Sequence, residues 1–262
     1  MISRVADHCF WLGRYVERAE HTARVLHVTT TLALDAELTP HQSWAPVIIV
    51  FGEEAAFVAK HGEAARGDGA IVQRYMTWDT ENLASIVRSV GAARENARSI
   101  REVVSLEVWE IINELYLYVN GDDGRREYEQ NPWAFYRNVR KLCALVLGFT
   151  ESTMLHDMPL DFIWLGVELE RAGQTARTTD VHYHAFTTLT NKHEVMDTAL
   201  WLSLLRCCSG FEPFMKRHRG AVTGSAVAAF LLLEPSFPRS VRHTIDEAYE
   251  RLASIRPPSE HN

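Results

Sequence analysis

The sequence predicts an all-α fold, a multi-helix bundle in which two long, related helices lie at the centre. Apolar residues recur at the three- and four-residue spacing of a helix through most of the 262 residues. Residues that favour helix ends, such as Ser105 before a periodic segment and Gly121 after it, stand at the segment boundaries. The one strong β-type run covers residues 47–51, and a single strand without partners does not form a stable sheet.

The N-terminal half divides at residues that cap or end helices. Ser3 can cap the first helix, and Asp79 is expected to cap a later one. The polar stretch after Gly121 predicts an exposed loop that could act as a hinge or a lid. We therefore expect helices over 3–34, 79–104 and 105–120, one or two short helices within 39–69 with a turn at 66–69, and a loop over 121–132.

The C-terminal half continues the helical pattern. Pro159 suits the first turn of a helix, and Pro235 and Pro238 separate the last two periodic segments. We expect helices over 133–154, 157–190, 194–218, 224–233 and 239–255. These elements are interpreted as one domain over residues 1–256, followed by a disordered tail over 257–262.

Composition limits the class of protein. The net charge of −7 gives no electrostatic footprint for nucleic acid. No apolar run reaches the ~18 residues of a membrane-spanning helix. The first residues lack the basic-then-apolar layout of a secretory signal. We expect a cytoplasmic protein that binds neither nucleic acid nor membrane.

Cysteine and histidine patterns favour neither a disulfide framework nor a metal centre. The four cysteines lack CxxC spacing, which is typical of reduced thiols in the cytoplasm. His193-Glu194 begins like a zinc-protease helix, but Asp197 stands where the second histidine is needed. Neither a glycine-rich phosphate loop nor a Gly-x-Ser-x-Gly elbow occurs. We therefore expect no metal and no cofactor.

An internal repeat is the strongest signal in the chain. Residues 11–24 align with residues 164–177, and nine of the fourteen positions are identical. Both copies carry Trp-Leu-Gly, Glu-Arg-Ala and Thr-Ala-Arg in the same register. Unrelated segments of this length would share roughly one position, so the repeat predicts two helices with matching chemistry, facing each other about a pseudo-two-fold axis.

A polar stripe runs along each copy between apolar residues. On a helical wheel, Glu17, His21 and Arg24 share one face, and the second copy repeats this with Glu170, Gln174 and Arg177. Charged side chains are rarely buried unless they are paired. The repeat therefore predicts a buried or pocket-lining cluster that contains the glutamate and the second arginine of each stripe. Arg18 and Arg171 lie about 100° around the helix from the adjacent glutamate, and so in different surroundings.

The cluster has two interpretations at this stage. In one, the ion pairs fix the register of two core helices. In the other, arginines hold a carboxylate or phosphate of a ligand while a glutamate orients an amine or takes a proton. Because Gln174 cannot titrate where His21 can, a symmetric two-base mechanism is disfavoured.

A second group of cations lies at Arg94, Arg98 and Arg101, on one face of a predicted helix. Such a face is typical of a solvated surface, and the alternative is that Arg94 and Arg98 contact an anion in the same cavity. The segment 237–242 is interpreted as a turn. The candidate ligand-binding residues are Glu17, Arg18, His21, Arg24, Arg94, Arg98, Glu170, Arg171, Gln174 and Arg177; no catalytic residue is assigned.

These motifs resemble a known family. The segments 11–15, 17–20 and 93–98, Trp109, and the segment from 230 to 241 are similar to the bacterial alpha-E domain proteins. The similarity extends from about Ser3 to Ile255. It implies an all-helical cytoplasmic protein without an assigned reaction, encoded beside ATP-grasp-type and transglutaminase-like proteins.

Two hypotheses follow from the cluster and the resemblance. The first is a helical component of a peptide-modification or amide-ligation pathway that binds a carboxylate-bearing peptide or intermediate in a Glu/Arg-lined pocket. The second is a non-catalytic scaffold that docks an ATP-grasp-type partner, with a purely structural Glu/Arg cluster. A solvent-reachable cavity flanked by Glu17, Arg24, Glu170 and Arg177 would favour the first hypothesis, and a dry, fully paired cluster would favour the second.

Overall fold

A computed structural model describes residues 3–35, 38–190 and 193–255, and over these ranges the fold is all-α, as predicted. Thirteen α-helices and one short 3-10 helix (Glu63–Gly67) cover most of the described residues. The α-helices are α1 (Ser3–Asp35), α2 (Pro40–Val50), α3 (Glu54–His61), α4 (Gly69–Trp78), α5 (Ile86–Ser99), α6 (Leu106–Asn120), α7 (Asp122–Gln130), α8 (Pro132–Thr153), α9 (Met158–Thr187), α10 (Glu194–Cys207), α11 (Phe211–Arg217), α12 (Gly224–Leu233) and α13 (Val241–Ile255).

The two longest helices, α1 and α9, contain the two copies of the repeat and pack against each other. α1 also packs against α5 and α8, and α9 packs against α13. The larger apolar core surrounds α1 and includes side chains of α4, α5, α6 and α8. A smaller core around Trp201 and Phe230 joins α10, α11 and α12 to the C-terminal half of α9. The central position of α1 and α9 therefore buries their polar stripes.

The predicted loop over 121–132 is wrong, because the structure forms α7 there. Asp122 and Asp123 occupy its first turn, where negative charge stabilises the helix end, and Arg126 pairs with Asp123 one turn later. Tyr128 contacts the edges of Trp78 and Phe135 and anchors the helix to the larger core. One aromatic anchor on an otherwise polar helix is too weak a periodic signal to read from sequence.

The predicted helix over 79–104 is shorter at both ends. Asp79 does not cap it; the Asp79 carboxylate instead accepts the backbone N–H groups of Glu81 and Asn82 in a turn. Ser85 is the N-cap and accepts from the backbone N–H of Arg88, and the helix ends at Ser99. Asp and Ser both favour caps and turns, so the sequence alone did not distinguish the two positions.

One further predicted helix differs from the structure. The predicted helix over 194–218 is two helices, α10 and α11, separated at Ser209, which adopts a positive φ of 53°. The β-type run 47–51 lies mostly in α2, which begins with a capping box between Thr39 and Gln42. The tail predicted over 257–262 lies outside the described residues. No helix within the described ranges combines the length and apolarity that crossing a membrane requires.

Candidate ligand cleft and its glutamate–arginine network

The crossing point of α1 and α9 is made of two glycines. A Cβ on Gly13 would collide with the carbonyl oxygen of Ile163, and a Cβ on Gly166 would collide with the carbonyl oxygen of Phe10. The two contacts are equivalent under the offset that relates residues 11–24 to residues 164–177. The structure shows this reciprocity at the crossing, while the pseudo-two-fold relation between the two helices stays a prediction.

The Glu-Arg pairs of the two helices exchange partners across this crossing. Arg171 donates its Nε–H to Glu17 at 3.0 Å, and Arg18 donates its Nε–H to Glu170 at 2.8 Å. Glu17 is fully buried and Glu170 is 3% exposed. Each buried carboxylate is thus neutralised by the arginine that follows the other glutamate in sequence. Arg18 and Arg171, expected in surroundings different from those of the glutamates, contact the glutamate of the opposite helix.

Each glutamate also has partners of its own. Arg239, which lies between α12 and α13, binds Glu17 through a terminal nitrogen. Glu170 accepts from Arg14 at 2.6 Å and from the side-chain amide of Gln174 at 3.1 Å. Burial raises the pKa of Glu170, but the hydrogen bond from Arg18 and the charges of Arg18 and Arg14 outweigh burial and lower it. Both carboxylates are therefore saturated with donors.

Glu20, about one turn after Glu17, forms ion pairs with three arginines. Arg24 lies 3.0 Å from its carboxylate, and Arg140 and Arg239 each lie 3.3 Å away. Burial raises the pKa of Glu20, yet the three guanidinium groups together lower it to about 2. Arg24 is itself buried, with its pKa lowered by burial to about 10, so both partners stay charged near neutral pH.

His21 has a fixed tautomer in this network. Its Nδ1 accepts from a terminal nitrogen of Arg24 at 3.1 Å, so the ring proton lies on Nε2 and is donated to Thr178 Oγ1 at 3.1 Å. Burial, and then the positive charge of Arg24, lower the pKa of His21 well below its ordinary value. The neutral imidazole therefore acts as a hydrogen-bond bridge between α1 and α9.

The remaining predicted site residues lie elsewhere. Arg177 donates its Nε–H to the backbone carbonyl of Val50 at 3.2 Å. Arg94 binds Asn113 and lies over Tyr116, and Arg98 pairs with Glu95 on the exposed side of α5. Neither Arg94 nor Arg98 contacts the Glu17–Glu170 region, so the structure does not bring them to the same cavity. In the described part of the chain, no three His, Cys, Asp or Glu side chains gather as metal ligands would.

A cleft of about 500 Å³ opens beside the buried network. One wall is α8 and the other is formed by α9 and α13. Glu20, Arg171 and Arg239 belong to both the network and the cleft. The remaining lining residues are Ala144, Leu147, Gly148, Glu151, Trp164, Glu168, Pro238, His243, Glu247 and Arg251. Glu17, Arg24, Glu170 and Arg177 do not line this cleft.

Glu168 is a buried carboxyl group of the cleft with incomplete pairing. Its Oε1 accepts from Arg171 at 2.9 Å, whereas its buried Oε2 has no hydrogen-bond partner. Burial raises the pKa of Glu168 to about 7, because the charge of Arg171 compensates only part of the desolvation and the nearby charge of Glu17 adds to it. Glu168 therefore changes its protonation state near neutral pH.

The network that reaches the cleft carries an excess of positive charge. Three carboxyl groups are joined by ion pairs to four guanidinium groups, those of Arg24, Arg140, Arg171 and Arg239. The carboxyl groups are those of Glu17, Glu20 and Glu168. The network holds one net positive charge when Glu168 is ionised and two when it is protonated. This excess belongs to the ion-pair network, because the lining of the cleft as a whole holds four carboxyl groups, those of Glu20, Glu151, Glu168 and Glu247, and three guanidinium groups, those of Arg171, Arg239 and Arg251.

Several residues of this site escaped the sequence analysis. Arg239 lies in the segment interpreted as a turn, and nothing in its local spacing indicates that it reaches α1. Glu20 has Gly173 as its counterpart in the second copy, so the repeat did not select it. Glu168 could have been found from its position three residues before Arg171, on the same side of the helix.

Comparison with known proteins gives a family and distant relatives. The family model Alpha-E, described as a predicted alpha-helical domain with a conserved ER motif, matches residues 1–262. Uncharacterised proteins of Mycobacterium bovis and Mycobacterium tuberculosis are 23% identical over 267 residues, which covers 96% of this chain and 30% of each relative. The chain thus spans under a third of the length of the curated relatives it matches. No solved structure matches it.

Proposed function

The chain belongs to the Alpha-E family, and we propose that it binds a carboxylate-bearing peptide or peptide-like intermediate in the cleft between α8, α9 and α13. In this proposal the domain is a helical component of a pathway that forms or modifies amide bonds. It binds and orients the ligand, and no catalytic residue is assigned.

The positive excess of the network is the observation that carries the proposal. Arg171 uses its Nε on Glu17 and one terminal nitrogen on Glu168, which leaves its other terminal nitrogen for a ligand. That nitrogen can donate a charge-assisted hydrogen bond to a ligand carboxylate. A ligand carboxylate placed beside Arg171 would neutralise the uncompensated charge, and the apolar side chains of Leu147 and Trp164 would cover the rest of a short peptide.

The test is a binding experiment with the full chain. A synthetic pool of tripeptides with free C-terminal carboxylates is equilibrated with the protein, and retained peptides are measured by ultrafiltration and mass spectrometry. The same pool with C-terminal amides is the matched ligand control. We expect retention of free acids and at least tenfold weaker retention of amides.

Two arginine variants separate binding from stability. Arg171→Lys and Arg18→Lys change equivalent ion pairs, but only Arg171 lines the cleft. We expect similar losses of stability from both, and weaker peptide binding from Arg171→Lys alone. Equal retention of acids and amides, no retention of either pool, or an equal loss of peptide binding in the two variants would overturn the proposal.

The second candidate function is a scaffold that docks an ATP-grasp-type protein, with a transglutaminase-like protein as a further partner of the same system. It is favoured by the complete pairing of Glu17 and Glu170, since both carboxylates are buried and saturated. Co-expression with an ATP-grasp-type protein from the same genome tests it. A stable complex on gel filtration, together with no tripeptide binding, would favour the scaffold.

A further inference from the structure

Two side chains that line the cleft each carry a buried polar atom without a hydrogen-bond partner. Trp164 Nε1, a donor, and Glu168 Oε2, an acceptor, are both buried and have no hydrogen-bond partner among the described residues. Both side chains line the cleft, and Glu168 is 94% buried, since its exposed fraction is 6%. Buried polar groups are nearly always paired, so a donor and an acceptor without partners in the lining of one cleft require an explanation.

The positions of these two residues on α9 place them on one face. They are four residues apart, so their Cα atoms lie about one helical turn, or ~6 Å, from each other along the axis. The guanidinium carbons of Arg171 and Arg251 lie 5.8 Å and 6.0 Å from the centre of the Trp164 ring. Cation–π contacts of this kind hold the indole in place. Arg171 also fixes the other oxygen of Glu168.

We infer that Trp164 and Glu168 recognise a peptide group of the ligand: the indole N–H donates to a ligand carbonyl, and Glu168 Oε2 accepts from a ligand amide N–H. The inference rests on the proposed function and names the part of the ligand that α9 contacts. The ligand is then a peptide with an unsubstituted amide nitrogen near its free carboxylate, rather than a simple carboxylic acid.

The physical reason is the cost of leaving these atoms unpaired. A buried donor or acceptor without a partner destabilises the protein, and a ligand that pairs with it removes that cost on binding. A simple carboxylate could neutralise the positive excess beside Arg171, but it has no N–H for Glu168. Peptide groups provide both a carbonyl and an N–H. A peptide ligand can therefore supply one acceptor for Trp164 Nε1 and one donor for Glu168 Oε2.

The experiment uses the best-retained tripeptide from the pool described above. Binding of this tripeptide is compared by calorimetry with two analogues, in each of which one amide nitrogen is methylated. N-methylation removes the donor and keeps the carbonyl and the carboxylate. At pH 8, where Glu168 is ionised, we expect methylation of one of the two nitrogens to weaken binding about tenfold.

Three variants assign the effect to the two residues. In Glu168→Gln the oxygen that faces Arg171 can be kept while an NH₂ group replaces the acceptor, so the loss caused by N-methylation should fall below twofold. Trp164→Phe keeps an aromatic ring at this position and removes the donor, and it should weaken binding of the unmethylated tripeptide about fivefold while keeping the N-methylation effect. Trp11→Phe, the equivalent change on α1 outside the cleft, should leave binding unchanged.

The outcomes are distinguishable from failure of the proposed function. If the wild type binds methylated and unmethylated tripeptides equally but still prefers the free acid over its amide, the proposed function stands and the inference is overturned. A methylation effect that persists in Glu168→Gln indicates steric exclusion and also overturns it. Equal affinities of Trp164→Phe and Trp11→Phe would remove the role of the indole.

Discussion

Arg171 of α9 donates its Nε–H to the fully buried carboxylate of Glu17 on α1, and this pair has a counterpart in Arg18 and Glu170. The chain carries Glu-Arg at 17–18 and again at 170–171. Within each dipeptide the glutamate and the arginine both pair with residues of the opposite helix, so no ion pair forms between the two residues of one dipeptide. The two ion pairs therefore depend on the correct crossing of α1 and α9.

Removing the charge of Glu17 should destabilise the fold more than removing that of Glu170. Glu17→Gln removes a fully buried carboxylate from a network that already carries a positive excess, while Arg171 and Arg239, 12% and 18% exposed, keep Glu168 and Glu20 as partners. We expect a cost of about 3 kcal/mol, the lower end for breaking a buried ion pair. Arg14 and Arg18, the partners of Glu170, are 27% and 18% exposed and can be hydrated, so Glu170→Gln should cost about 1–2 kcal/mol. Urea unfolding of the two variants measures the difference; equal costs would contradict this account.

Alanine at either crossing glycine should force α1 and α9 apart. In Gly13→Ala and Gly166→Ala the new methyl group meets a backbone carbonyl of the other helix, which cannot move aside as a side chain would. Overpacking of this kind costs about 1–3 kcal/mol or more in the free energy of unfolding. Gly91→Ala on α5 is the control, because its Cβ meets nothing within 4 Å and alanine should add about 0.5–1 kcal/mol. Thermal unfolding of the three variants tests the contrast.

Glu168 should make the protein less stable as the pH rises. The pKa of Glu168 is raised from 4.5 to about 7, so between these values the folded state binds more protons than the unfolded state. The contribution is present in full below pH 4.5 and is lost as the pH rises through 7. At about 1.4 kcal/mol per pKa unit, the stability of Glu168→Gln relative to the wild type should rise by about 3 kcal/mol between pH 4.5 and pH 8.

Four charged groups that face Glu168 could also affect how stability depends on pH, so the wild type and Glu168→Gln are compared at each pH. These groups are Arg171 on α9, Glu17 on α1, His243 on α13 and Arg239 between α12 and α13. Because the wild type and Glu168→Gln share all four, the difference between their unfolding free energies from pH 5 to 8 reports on Glu168. A difference that does not change with pH would contradict the raised pKa.

Replacing Arg24 should raise the pKa of His21. Arg24→Met removes the donor to His21 Nδ1 and the largest charge contribution that lowers the pKa of His21, although burial still lowers it. We expect this pKa to rise and to stay below 6.5. A histidine buried in its neutral form loses stability as the pH falls below its unfolded pKa, so that loss should be smaller in the variant. NMR titration of the imidazole measures the shift; an unchanged pKa would contradict it.

The long periodic helices were predictable because burial on a helical period leaves a clear pattern. α1, α8 and α9 lie within a few residues of their predicted ranges. The helix α7 was missed because its residues are mostly polar and its stability comes from the packing of Tyr128 and from end charges. The position of Ser85 as a cap was missed because Asp79 has the same preference and only tertiary packing decides between them.

The buried network was predictable in part. The helical wheel identified the buried glutamates, and the rule that buried charges are paired indicated arginine partners. The wheel could not show that Arg18 and Arg171 cross to the other helix, because a side chain as long as arginine reaches well beyond the direction of its Cβ. Arg239 comes from a distant segment, and its contact with Glu17 depends on the packing of α13 against α9.

The glycine crossing also determines which parts of the domain can move. With backbone against backbone at Gly13 and Gly166, the two central helices can neither slide past each other nor rotate without a steric clash. We expect any opening or closing of the cleft to involve its outer helices, α8 and α13. Binding at the cleft would be transmitted outward to these surfaces, while the centre of the molecule stays rigid.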